Sequence, residues 1–170
     1  LTPHRLDTGT SGILIVTTKK AQFLDWREKF RNKKVKKCYL AWCWGEPEKD
    51  EYLVEYSVGH AVGDNRKMVA LKGNVKSQPP ILEASSHIKV IKRLKDKGIF
   101  LAQVDCATGV THQVRVHLAS LGFPLVGDEL YDPNKLGRSI ERPFHALRAF
   151  SLSCGDWTCN VSGEEFSLEY

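Results

Sequence analysis

The most informative stretch of this sequence is His4-Arg5-Leu6-Asp7-Thr8-Gly9-Thr10-Ser11-Gly12. It places an imidazole, a guanidinium and a carboxylate within four positions and continues into a Thr/Gly/Ser run that is typical of a turn. The apolar residues 13–16 follow and predict a strand. Asp7 is therefore expected on a loop just before a strand, where a carboxylate can be a nucleophile, a base or a turn cap. Taken alone, these nine residues favour the turn cap.

Composition limits the classes of protein to consider. The 170 residues suffice for one domain with its own hydrophobic core, and the formal net charge of +5 favours an anionic partner. Five cysteines without a C-x-x-C pair are typical of reduced thiols in an intracellular protein. No apolar run approaches the ~18 residues of a membrane span, so no membrane partner is expected. Because the chain starts inside a motif and without Met, we expect it to be a fragment.

The apolar patterning indicates the fold class. The spacing of Phe23, Trp26 and Phe30 predicts a helix over residues 21–31. Strands are predicted at residues 13–16, 38–44, 51–58, 67–71, 83–94, 99–106, 144–154 and 166–170. Residues 73–80 and 132–142 are expected to be loops, and residues 95–98 a hairpin turn. Short connections are typical of antiparallel pairing, so the predicted fold class is α+β with a mixed, mostly antiparallel sheet and a few flanking helices.

A second informative stretch covers residues 108–122. Thr111 is a candidate N-cap for a short helix that ends at Gly122. The apolar face of this helix consists of Val114, Leu118 and Leu121. Arg115 lies near the N-terminal end of the helix, where its guanidinium can reach a group in front of that end.

The basic run at residues 31–37 has two interpretations of about equal weight. Cations suit the negative C-terminal end of a helix dipole, so the run can be a solvated helix end. It can also contact the phosphates of a nucleic acid.

Several kinds of site are excluded by motif. The sequence contains no Walker loop, no dinucleotide fingerprint, no zinc-protease motif and no zinc-deaminase signature. His112 and His117 are five positions apart and therefore do not share one helical face, so no metal site is expected.

The remaining set is Asp7, Tyr39 and Arg115. Each has an ordinary structural role, but together they suit chemistry on a nucleoside, because a carboxylate can act at the sugar while an aromatic ring stacks on the base. Spacing alone does not bring the three together.

Five motifs in order carry a resemblance to a known family. Residues 4–12 match H-R-L-D-x-x-T-S-G, residues 37–41 match K-x-Y-x-A, and residues 127–131 match G-D-x-x-Y. Residues 108–118 nearly match T-G-R-T-H-Q-I-R-V-H-L, and a late His-Ala pair occurs at 145–146. With these motifs the chain resembles the RluA-like family of RNA pseudouridine synthases. The resemblance implies that residues 1–170 form one pseudouridine synthase catalytic domain that lacks the strands usual before H-R-L-D.

The resemblance also implies an activity and a partner. Such a protein isomerises uridine to pseudouridine in structured ribosomal or transfer RNA, with no cofactor and no metal. Asp7 is then the catalytic residue at the ribose, Tyr39 stacks on the uracil and helps to take the C5 proton, and Arg115 pairs with Asp7. Arg5 enters the RNA where the target base has left. Further contacts to RNA are expected from His4, Lys37, His112 and Gln113, and the protein is expected to be monomeric.

Three positions depart from the family pattern and leave other functions open. Val110 stands where the family usually has an arginine, Phe123 where histidine is common, and Asp132 where glycine is common. The loss of a cation at Val110 motivates one rival, a non-catalytic RNA-binding or RNA-folding protein. A more distant rival is a nucleoside hydrolase, for which Asp7 lacks an evident water-activating partner.

Overall fold

The computed structural model describes residues 1–134, 139–140, 142–161, 166 and 168. It contains helices α1 (Lys20–Arg31) and α2 (Gln113–Ser120), and a 3-10 turn at Lys95–Lys97. The strands are β1 (Ser11–Gly12), β2 (Lys36–Trp44), β3 (Glu51–Val54), β4 (Val58–Ala61), β5 (Asp64–Ala70), β6 (Ser77–Leu82), β7 (Ser86–Leu94), β8 (Ile99–Cys106), β9 (Leu147–Cys154) and β10 (Trp157–Asn160). No helix within the described ranges is long and apolar enough to cross a membrane.

The strands form two sheets. The central sheet has the order β1-β9-β2-β8-β7-β3, and β10 pairs with β9 beside this path. Strand β1 runs parallel to β9, whereas the other pairings in the sheet are antiparallel. A second sheet has the order β5-β4-β6. The predicted α+β class with a mixed, mostly antiparallel sheet is confirmed.

The two faces of the central sheet have separate cores. Successive side chains of a strand point to opposite faces. In β2, Ala41 and Cys43 join the cluster that includes Leu118 of α2, so this helix covers one face. Trp42 and Trp44 lie in a second cluster on the other face. Because Tyr39 alternates with its neighbours in the same way, it points to the face that carries α2.

Most of the predicted elements are confirmed, but the strand at residues 13–16 is wrong. The short strand β1 forms two residues earlier, where Ser11 and Gly12 align with Arg148 and Ala149. The Ile13 amide still donates to the Ala149 carbonyl at 3.0 Å, but the chain then leaves the sheet. The Ile15 amide instead donates to His4 Nε2 at 2.9 Å, so the backbone of this run is tied to the loop that contains Asp7, while Leu14 and Val16 stay exposed.

Three further predictions are corrected. The strand expected over 51–58 is split into β3 and β4, which belong to different sheets. Residues 77–80, expected in a loop because of their two prolines, lie in β6, which is an edge strand and so tolerates proline. Phe166 and Leu168, expected in a strand, have no strand conformation and pack against the tryptophan cluster. Tyr170, and residues 135–138 and 141 of the expected polar loop, lie outside the described residues. Strand β10 was not predicted.

Gly12 fixes the approach of the Asp7 loop to the central sheet. Its φ is +110°, and a Cβ at this position would overlap the backbone of Ala149. We expect Gly12→Ala to lower the free energy of unfolding by about 2 kcal/mol, since both the backbone conformation and the strand contact resist the methyl group. Denaturant unfolding measures the change. Gly73→Ala is the matched control, because Gly73 also has a positive φ but has open space around it. Equal losses in the two variants would contradict the proposed overlap.

Candidate active site

Asp7 lies on a loop that several contacts hold in place. The Thr10 amide donates to the Asp7 carbonyl at 2.9 Å and closes a turn. The Thr10 hydroxyl is hydrogen-bonded to His145 Nε2 at 2.8 Å. Burial lowers the pKa of His145 to about 4, so this imidazole is neutral at neutral pH. The turn therefore has a rigid link to the segment just before β9.

A cavity of roughly 560 Å³ opens beside this loop. Asp7 and Tyr39 both line it. One wall comes from the end of α1 and the residues after it, and another from the end of β6. The residues of these walls are Phe30, Arg31, Lys33, Ile81, Leu82 and Glu83. The segment before α2 provides a third side, with residues 106–114.

Arg115 lies within ion-pair distance of Asp7, but its strongest partner is Asp128. Its Nη1 is 3.9 Å from Asp7 Oδ2, whereas Nε and Nη2 donate to the Asp128 carboxylate at 2.7 and 2.8 Å. The Asp128 side chain is fully buried and also accepts from the amides of Leu130 and Tyr131. The guanidinium lies over the Tyr131 ring, 4.9 Å from its centroid. Asp128 therefore fixes Arg115, a role that sequence analysis did not assign to the G-D-x-x-Y motif.

Tyr39 contributes an aromatic ring and a neutral phenol to the cavity. Burial raises the pKa of its hydroxyl well above the usual range, and the nearby Cys106 and Asp7 raise it further. The hydroxyl therefore keeps its proton at neutral pH. This favours the expected stacking role over the expected help in taking a proton, because a phenol is a poor base.

The five residues expected to contact RNA differ in their freedom to do so. Arg5 is exposed and lines the cavity. Lys37 also lines it, but Lys37 Nζ donates to the Thr108 carbonyl and burial lowers its pKa. The His4 ring stacks on Phe30, with centroids 4.6 Å apart, and its Nε2 is occupied by a backbone amide. His4 therefore supports the loop, and a hydrogen bond to the Arg5 backbone adds to this role.

Gln113 has a structural role in place of the predicted RNA contact. Its Oε1 accepts from the Thr108 hydroxyl at 2.8 Å and the Val110 amide at 3.1 Å. Its Nε2 donates to the Ser85 carbonyl and the Ser86 hydroxyl. Both amide protons are thus used inside the protein, so the side chain has no donor left for RNA. The contacts join the segment before α2 to the start of β7.

His112 lies at the N-terminal end of α2, where Thr111 was expected. It is the N-cap residue, with φ 57° and ψ 16°, and its side chain does not cap the helix. Its Nε2 is 4.0 Å from Asp7 Oδ2, and its Nδ1 is hydrogen-bonded to the Tyr131 hydroxyl at 2.8 Å. No sequence signal distinguishes a left-handed histidine from the threonine that precedes it. Among the described residues no group of three potential ligands could hold a metal ion.

Val110, which replaces the usual arginine, packs on apolar neighbours. It borders the buried cluster that contains Met68, Val116 and Tyr131. Valine in place of the usual arginine therefore removes a cation from the segment before α2 and adds an apolar contact to this cluster. The contacts that hold Asp7, Tyr39 and Arg115 do not involve this side chain.

Comparisons with known proteins point to one family. A family model described as RNA pseudouridylate synthase matches residues 1–120. The chain is 35% identical over 156 residues to the ribosomal large subunit pseudouridine synthase D of Nitrosomonas europaea, covering 88% of the chain and 42% of that protein. It is 33% identical over 128 residues to the dual-specificity RNA pseudouridine synthase RluA of Yersinia pestis, covering 75% of the chain and 59% of that protein.

A solved structure is similar over nearly the whole chain. The human RNA pseudouridylate synthase domain containing 1 superposes with a TM-score of 0.82 at 26% identity, covering 96% of the chain and 68% of that structure. A third relative is the chloroplastic RNA pseudouridine synthase 2 of Arabidopsis thaliana, at 32% identity over 78% of the chain and 30% of that protein. The chain thus spans about a third to three fifths of the length of these three curated relatives.

Proposed function

Because this chain belongs to the RNA pseudouridylate synthase family, we propose that it isomerises uridine to pseudouridine in RNA, with Asp7 as the catalytic residue. The observation that carries the proposal is the carboxylate of Asp7 in a cavity that Tyr39 also lines, with Arg115 3.9 Å behind it. A carboxylate held on a rigid loop can act at the ribose, as a nucleophile at C1′ or as a base toward the sugar.

The proposed reaction leaves the elemental composition of the nucleotide unchanged. The bond between C1′ and N1 breaks, the uracil turns, and a bond forms between C1′ and C5. The C5 hydrogen is then lost to solvent as a proton, and N1 takes up a proton. Neither oxidation nor an added group occurs, so the balance needs no cofactor.

One aromatic residue and one cation at the cavity suit an RNA substrate. Tyr39 offers a flat face on which an extruded uracil stacks, and stacking offsets part of the few kcal/mol that base flipping costs. Arg5 is exposed at the same cavity and can fill the space that the base has left. The names of two relatives, ribosomal large subunit pseudouridine synthases D and C, favour ribosomal RNA as the substrate. Transfer RNA is the second candidate, from the resemblance of the motifs alone.

RNA that contains 5-fluorouridine tests the proposal, because fluorine replaces the C5 hydrogen and cannot leave as a proton does, so the reaction stops after the new bond to C5 has formed. We expect a slow adduct or a rearranged nucleoside that forms with the wild-type chain and not with Asp7→Asn. Tight binding without either product would favour the RNA-binding rival. Free uracil from unmodified RNA would favour a hydrolase.

The charges at the cavity rim predict opposite effects on RNA binding. Lys33 Nζ and Glu83 Oε2 are 4.0 Å apart, one on each wall, and both side chains are exposed. We expect Lys33→Gln to weaken RNA binding about threefold and to reduce the salt dependence by about one charge, and Glu83→Gln to strengthen binding about threefold. Titrations at several salt concentrations measure both. Glu48→Gln, an exposed site away from this cavity, is the control. Equal affinities for all variants would contradict an RNA path across this rim.

A further inference from the structure

The backbone of His112 has a conformation that a residue with a side chain rarely adopts. Its φ of 57° and ψ of 16° are left-handed, a region that glycine and asparagine enter most easily. Its carbonyl accepts the amide of Val116 at 2.9 Å in the first turn of α2. Such conformations persist where surrounding contacts determine them, and the imidazole supplies contacts on both of its nitrogens.

The hydrogen bonds of Tyr131 define the tautomer of this imidazole. The Tyr131 hydroxyl oxygen accepts the Met68 amide at 2.9 Å and lies 2.8 Å from His112 Nδ1. Tyr131 is buried, so its own proton needs an acceptor, and among the described residues Nδ1 is the acceptor at hydrogen-bond distance. A Nδ1 that accepts has no proton, and the proton of the neutral ring then resides on Nε2.

The protonated nitrogen faces the catalytic carboxylate. His112 Nε2 is 4.0 Å from Asp7 Oδ2, and Arg115 Nη1 is 3.9 Å from the same oxygen. Both distances exceed the 2.7–3.2 Å of a hydrogen bond. If the carboxylate moves about 1 Å toward the two donors, both hydrogen bonds form. With both donors on Oδ2, the other oxygen of Asp7 is left to act on the substrate.

We propose that His112 is a positioning residue that orients Asp7 through its Nε2–H, in a tautomer set by the Tyr131 hydroxyl. This inference rests on the proposed function for its effect on turnover, whereas the tautomer is a property of the resting protein. Burial lowers the pKa of His112, the charges of Asp7 and Asp128 oppose this, and those of Arg115 and Arg5 add to it. The ring is therefore neutral at neutral pH, and its tautomer is defined.

Two substitutions at His112 separate positioning from a purely structural role. In His112→Gln the amide nitrogen can take the place of Nε2 and still donate to Asp7. In His112→Asn the shorter side chain can take the place of Nδ1 and accept from Tyr131, and asparagine tolerates the left-handed backbone better, but no donor reaches Asp7. We expect His112→Asn to lower kcat by about 30-fold with KM for RNA nearly unchanged, and His112→Gln to retain most of kcat. A His112→Asn enzyme as active as His112→Gln, or more active, would overturn the proposal.

Nitrogen-15 NMR of the imidazole tests the tautomer without RNA. The wild-type chain is expected to show His112 with a proton on Nε2 and none on Nδ1, and a proton on Nδ1 would overturn the proposal whether or not the chain turns over RNA. In Tyr131→Phe we expect a mixture of tautomers at His112, and an unchanged spectrum would contradict the role of the hydroxyl. If the wild-type chain has the expected tautomer but makes no pseudouridine, the proposed function fails on its own.

Discussion

Asp7→Asn is expected to abolish pseudouridine formation, with kcat at least about 10⁴-fold lower. Removal of a reacting group lowers kcat by a factor of this size in other enzymes. The amide neither attacks C1′ nor accepts a proton from the ribose. The loop itself does not depend on the carboxylate, because its turn is closed by the backbone carbonyl of Asp7 and by the bond of Thr10 to His145. The variant should therefore fold normally and bind RNA.

Three measurements on this variant separate chemistry from folding. Turnover is followed as pseudouridine per RNA, affinity by titration, and stability by thermal unfolding. Asp25→Asn is the matched control, since Asp25 pairs with Lys29 on the exposed surface of α1 and should leave all three unchanged. Turnover by Asp7→Asn within tenfold of the wild-type rate would remove Asp7 from the catalytic role.

Asp128→Asn is expected to have the largest effect on stability. It removes the closest counter-charge of the buried Arg115 guanidinium and leaves only the Asp7 carboxylate at 3.9 Å, and breaking a buried pair in this way typically costs about 3–5 kcal/mol of the free energy of unfolding. It also loosens the two hydrogen bonds that hold Arg115 beside Asp7, so turnover of the folded fraction should fall as well. Denaturant unfolding measures the loss of stability, and kinetics well below the melting temperature measure the loss of turnover.

The control for this buried pair is an exposed one. Asp64 pairs with the exposed Arg66 at 3.2 Å at the start of β5, so Asp64→Asn should leave both stability and turnover unchanged. If Asp128→Asn were as stable as the wild-type chain, the ion pair with Arg115 would not be what fixes the guanidinium.

The parts of the site that follow from local patterns were predictable. The period of two along β2 determines which face Tyr39 shares with Ala41, and the apolar spacing of α2 places Arg115 at its start. Ordered motifs then assigned Asp7, Tyr39 and Arg115 to one site. In the structure Arg115 is within ion-pair distance of Asp7, and Tyr39 lines the same cavity as Asp7.

The parts that depend on distant contacts were not predictable from spacing. The strand predicted at residues 13–16 forms at Ser11–Gly12 instead, because Gly12 pairs with Ala149. That partner is 137 positions away in the chain, so local spacing does not reveal it. Asp128 had no assigned role, since the G-D-x-x-Y motif does not reveal that its carboxylate faces Arg115. Gln113 appeared free to contact RNA, yet four internal hydrogen bonds use its amide.

The most direct test of the account is the nucleoside content of RNA after incubation with the chain. A pool of unmodified ribosomal and transfer RNA transcripts, labelled with tritium at C5 of uridine, is incubated with the wild-type chain or with Asp7→Asn and then digested to nucleosides. We expect tritium release equal to the pseudouridine formed, no free uracil, and neither tritium release nor pseudouridine with Asp7→Asn. Release of free uracil, or equal pseudouridine from both proteins, would contradict it.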